Sequence, residues 1–103
     1  MTPIVTLWWR DIPAQVIVGA GRRAAKAPLD PRFAEAIDRA AMRAGLAGED
    51  AYLAQWRRVE EGAAAGDPAE AARARAAELE CAWPKARLHR AALAGGVEEA
   101  AEA

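Results

Sequence analysis

Three groups of residues in this chain have the types and spacing to do chemistry. The first is Trp8-Trp9-Arg10-Asp11, followed four positions later by Gln15, which gathers a guanidinium, a carboxylate and an amide beside two indoles. Such a set suits a polar pocket with an aromatic rim, for an aromatic or anionic ligand. It also suits a structural corner, with Asp11 capping a turn and Arg10 paired to a helix acid. The second group is the loop Gly19-Ala20-Gly21-Arg22-Arg23 with Lys26, which has the composition of a phosphate cradle. A dinucleotide fingerprint needs a third glycine and a helix opening straight from the loop. Pro28 and Asp30-Pro31 delay the helix here, so the loop reads as solvated and basic. The third group is Cys81 and His89 on either side of Pro84. Two soft ligands fall short of the three or four that zinc takes, so no metal is expected.

No residue pattern in the chain supplies an activated nucleophile. Its one imidazole, His89, lies in the last third of the sequence, and Glu60-Glu61 reads as a solvated helix end. The expectation is a protein without catalytic residues and without a cofactor.

The 103 residues make one domain with a modest core. Of the 53% hydrophobic residues, 30 are alanine, so the four tryptophans carry a large share of the burial. A net charge of −1 argues against a surface built for nucleic acid or for membrane. The single cysteine allows no internal disulfide and fits a reducing compartment. With no signal-like start and no run of about 20 apolar residues, the cytoplasm is the expected location.

The elements that must position these residues follow from periodicity. Residues 3–10 and 14–20 are apolar and β-branched on both sides of a polar, proline-bearing turn, and predict an antiparallel hairpin. Both faces of that hairpin are apolar, so it needs cover or a partner. Asp30-Pro31 starts a helix carrying Phe33, Ile37, Ala40 and Ala41 at helical spacing, closed by Gly45. A second helix is expected over 50–61, with Tyr52, Leu53, Trp56 and Val59 as its stripe, ending at Gly62. Asp67-Pro68 starts a third, which Pro84 interrupts and Gly95-Gly96 closes. The fold expected is α+β: a two-stranded hairpin packed on two helices over 1–62, an alanine-rich helical extension over 63–96 kinked at Pro84, and a flexible acidic tail over 97–103.

The run Trp9-Arg10-Asp11-Ile12-Pro13-Ala14-Gln15-Val16, with Gly21-Arg22, Leu29, Arg32-Phe33, Ala36-Ile37-Asp38, Ala41-Met42, Gly45-Leu46 and Tyr52-Leu53-Ala54-Gln55-Trp56, resembles a small bacterial domain family described as "virulence factor". The resemblance covers about residues 3–60. It implies a short cytoplasmic protein, or one module of a longer chain beside an iron–sulphur scaffold-type domain. It also implies a genomic setting near folate- and corrinoid-dependent methyl transfer, and hence an accessory subunit in one-carbon metabolism or cofactor assembly. It carries over no catalytic residue.

The function expected is protein interaction, with a protein partner or a second copy of the chain and with no nucleic acid, membrane or metal. The rival expectation is a small-molecule or anion-binding domain. The residues placed in a binding surface are Trp8, Trp9, Arg10, Asp11, Gln15, Arg22 and Arg23.

Overall fold

The computed structural model describes residues 2–46 and 48–98. Among these residues the fold is α+β, with a four-stranded antiparallel sheet and four helices. Strands β1 (Thr2–Trp9) and β2 (Ile12–Val18) form the expected hairpin. Its turn is Arg10-Asp11 alone, so the strands come closer to the turn than the proline suggested. Pro13 lies inside β2 and is buried. The main-chain alternation of the ladder explains why that is tolerated. The Gly19 N–H donates to the Pro3 carbonyl at 3.1 Å, so odd-numbered residues of β1 turn their main-chain groups toward β2. Trp8, opposite Pro13, turns its own the other way. The missing proline N–H therefore costs the ladder nothing.

Two strands lie on either side of this hairpin, giving the order β3-β2-β1-β4. Strand β3 (Ala25–Pro28) is short and follows a single 3-10 turn at Gly21–Arg23. Strand β4 (Trp56–Ala64) is nine residues long and pairs with β1, Thr6 facing Val59 and Leu7 facing Arg58. It replaces most of the helix expected over 50–61, of which only α2 (Glu49–Leu53) forms. The spacing of Trp56 and Val59 is compatible with a helix. The bare edge of β1, however, offers a full ladder of hydrogen bonds, and tertiary pairing overrides so weak a local preference. The two-stranded sheet on two helices is corrected accordingly.

Helix α1 (Pro31–Arg43) starts and stops where the sequence signals place it. The Asp30 carboxylate accepts from the Arg32 N–H at 3.0 Å, and Gly45, at φ +74°, lets the Leu46 N–H reach back to the Ala41 carbonyl. Helix α3 (Pro68–Ala82) opens in the same way, the Asp67 carboxylate accepting from the Glu70 N–H at 3.2 Å. The chain breaks at Trp83-Pro84, and α4 (Lys85–Leu93) follows.

Helix α3 packs across β2 and β3, while α1 and α4 pack on each other. Trp9, Val16 and Val18 of the hairpin, Phe33 and Ile37 of α1, Leu79 of α3 and Leu88 of α4 belong to one buried cluster. Residue 62, expected to close the first unit, falls inside β4, and both later helices contribute to that same cluster. Of the tail expected over 97–103, residues 99–103 lie outside the described residues. Val97 and Glu98 sit against the hairpin turn and α4.

Candidate functional site

The hairpin turn is where the chain gathers most polar contacts. Arg10 is held in the left-handed region at φ 53°, a conformation that costs a residue with a side chain about 1–2 kcal/mol. The contacts around it offset that strain. Its main-chain N–H donates to the Gln55 carbonyl at 3.1 Å, its Nε to Gln55 Oε1 at 3.1 Å, and its guanidinium to the Gly95 carbonyl at 3.1 Å. The guanidinium also lies 5.7 Å from the centre of the Trp9 ring. Asp11 fixes the other side of the turn. Its N–H donates to the Gly96 carbonyl at 2.8 Å, and its carboxylate accepts from the Glu98 N–H at 2.8 Å. Arg57 approaches the same carboxylate at 3.8 Å and donates to the Arg10 carbonyl at 2.8 Å.

Beside this turn opens a cleft of about 300 Å³ between β1, β4 and the start of α4, lined by Trp8, Asp11, Arg57, Val59, Glu61, Trp83, Arg87 and Glu98. Its charges are matched among themselves. Glu61 accepts from the buried Thr6 hydroxyl at 2.6 Å, from Trp8 Nε1 at 3.1 Å and from Arg75 of α3 at 2.9 Å. Partial burial opposes ionisation of Glu61, but the donors from Thr6, Arg75 and Trp8 outweigh it and hold the carboxyl below its usual range. Arg87 grips Glu98 through two bonds of 2.6 and 2.8 Å, and this pairing holds the Glu98 carboxyl low against the opposing effect of burial. The Arg87 guanidinium also lies 3.8 Å from the centre of the Trp83 ring.

The expected site residues separate into three places. Trp8 and Asp11 line the cleft, and Arg10 lies behind the turn that bounds it. Trp9 is in the core, fully buried, its Nε1 donating to the Tyr52 carbonyl at 2.9 Å and its ring 5.6 Å from that of Tyr52. Gln15 pairs with Leu7, which puts it on the sheet face opposite Trp8. Arg22 and Arg23 are exposed beyond the far end of β2. Seven residues of β2 separate them from the turn, about 20 Å at strand rise. The basic loop and the hairpin end thus cannot hold one small anion together. Arg57, Glu61, Trp83, Arg87 and Glu98 were missed as site residues. The signal for two of them was the alternation Arg57, Val59, Glu61, a period of two read as a helix. Among the described residues no three His, Cys, Asp or Glu side chains come together as metal ligands would, and no helix is long and apolar enough to cross a membrane.

The cleft presents the half-buried Trp8 indole and a rim of internally paired charges, with Trp83 buried beneath the Arg87 guanidinium. Its cations already have carboxylate or ring partners. Shape, ring surface and rim hydrogen bonds are what it offers. Comparison with known families gives one finding: the family described as "Virulence factor" matches residues 7–91. The match runs well past residue 60, where the resemblance was expected to end, and takes in α3 and most of α4. Among curated proteins and solved structures, none matches the chain.

Proposed function

As the chain belongs to the virulence factor family, a description that names no reaction, we propose that it is a protein-interaction module whose hairpin-end cleft receives a segment of a partner polypeptide. The observation that supports this most is the state of the charges around the half-buried Trp8. A site for a small anion converges unpaired cations, whereas here Arg87 is engaged by Glu98, Arg75 by Glu61, and Arg57 leans on Asp11. Half-buried indole surface ringed by satisfied polar groups is the usual composition of a protein-binding hot spot. An accessory role in folate- or corrinoid-dependent one-carbon metabolism, or in cofactor assembly, is the finer form of this reading. It rests on the genomic setting that the resemblance implies and on no residue of the chain.

The test is differential capture. The full chain and its Arg57→Glu variant are used as bait in extract of the native host, with Arg22→Ala/Arg23→Ala as a control at the far end of the sheet. A protein retained by the wild type and the control but lost with Arg57→Glu supports the reading. A protein lost only with the Arg22/Arg23 variant, or a melting temperature raised by phosphate beyond the effect of chloride at equal ionic strength, favours the anion-binding alternative.

A further inference from the structure

The outer edge of β4 carries an inverted charge repeat. From Arg57 the strand reads Arg-Arg-Val-Glu-Glu, two cations and two anions about Val59. β4 is the last strand of the sheet, and among the described residues no strand pairs with its outer edge. It is also the longer of the two edges. Strand β3, at the other side, has four residues and ends in proline, the usual form of a blunted edge. In β4, by contrast, Arg57, Arg58, Glu60, Glu61, Gly62 and Ala63 are all exposed.

The main-chain groups on that edge can be assigned. The Arg10 N–H donates to the Gln55 carbonyl, extending the β1–β4 ladder by one step past the Trp9–Trp56 pair. Alternation from this point turns the main-chain groups of Arg57 and Val59 inward to β1. Those of Arg58 and Glu60 then point outward. The Gly19-to-Pro3 bond gives the same phase independently, since it leaves Thr6 and Trp8 facing β4.

We propose that β4 pairs antiparallel with β4 of a second copy of the chain, about a two-fold axis between the two Val59 residues, joining two four-stranded sheets into one of eight strands. In this register Arg58 of each copy faces Glu60 of the other, and both have their main-chain N–H and C=O turned outward. The charge match and the hydrogen-bonding phase therefore select the same register. Shifting by one residue per strand either way sets Arg58 against Arg58 or Glu60 against Glu60, and like charges directly opposite are unfavourable. A parallel pairing in register stacks every charge on its like. The interface is isologous, as a two-fold dimer requires. The charges that test it are not cleft residues: Arg58 and Glu60 alternate with Arg57, Val59 and Glu61 and so lie on the opposite face, although in this register Arg57 of each copy also faces Glu61 of the other.

The test is sedimentation of the full chain from micromolar to near-millimolar concentration, with Arg58→Glu, with Glu60→Arg, and with the two variants mixed. The wild type is expected to dimerise. Each single reversal turns two attractive cross-strand pairs into two repulsive ones and should weaken the dimer by about tenfold or more. The equimolar mixture should restore it as a heterodimer, since one copy then presents only acids and the other only bases at these positions. Amide exchange at Arg58 and Glu60 should slow as the wild-type concentration rises. A wild type that stays monomeric overturns the proposal. So does a dimer indifferent to both reversals, or a mixture no tighter than its components. Loss of self-pairing with retention of the captured partner would leave the cleft reading standing.

Discussion

Arg10 shows how a side chain that looks functional in the sequence can serve the frame. Its position beside two tryptophans and an aspartate suggested a ligand contact, or pairing with a helix acid. Its partners are instead the Gln55 side chain and the Gly95 carbonyl, which no spacing rule could have named because both are distant in sequence. Its left-handed backbone yields a prediction. Arg10→Ala loses the contacts and keeps the strain, whereas Arg10→Gly loses the contacts and relieves it. Chemical denaturation should find the glycine variant more stable than the alanine variant by about 1 kcal/mol. Glu61 gives a second prediction. Removing it as Glu61→Ala leaves the buried Thr6 hydroxyl and the Trp8 indole N–H without their acceptor, at a cost of about 1–3 kcal/mol. The carboxyls of Glu61 and Glu98 lie lower in the folded chain than their ordinary 4.5. The native state thus binds fewer protons than the unfolded chain below that value. Their contribution is complete above pH 4.5 and is lost as pH falls through the depressed native values. Melting temperatures followed through this range should fall less steeply for Glu61→Gln than for the wild type.

At the scale of elements, the legible parts were those written in local chemistry. The cap at Asp30, the stop at Gly45, the start at Asp67 and the break at Pro84 each depend on a few neighbouring residues, and the helices obey them. The β1–β2 hairpin was legible for the same reason. Strand β4 was not, because its stability comes from the edge of β1, and Trp56 and Val59 fit either period. The consequence is measurable. As a central helix residue Trp56 would have been a core anchor, but it is only half-buried, in edge contact with Tyr52 at 6.1 Å. Trp9→Ala should cost about 3–5 kcal/mol, and Trp56→Ala clearly less. The end of α4 is equally constrained. A Cβ on Gly96 would meet Trp9 Cζ3 at 2.8 Å, at a φ of +91°. Gly96→Ala should therefore destabilise the fold by about 1–3 kcal/mol through overpacking, seen as a lower denaturation midpoint.

For the whole molecule, the sheet and the later helices share one buried core. Leu79, Trp83, Leu88, Ala91 and Ala92 share a buried cluster with the hairpin and α1. A chain ending at residue 62 would leave the α3 face of its sheet bare, and should show no cooperative thermal transition by far-ultraviolet circular dichroism. The strand order also sets a timetable during synthesis. β1 and β2 are neighbours in sequence, and such a hairpin closes in roughly 1–10 μs. The second partner of β1 is completed only at Ala64, 46 residues after β2 ends at Val18 (64 − 18). At ribosomal speeds of 5–20 residues per second that interval is roughly 2–9 s. Throughout it, the side of β1 that carries the outward main-chain groups of Thr6 and Trp8 waits uncovered. On a polysome the nearest matching strand belongs to the preceding ribosome's chain. The expected misassembly of this topology is thus strand exchange between nascent copies, and slower translation between Val18 and Ala64 should increase the fraction of swapped dimer seen on gel filtration.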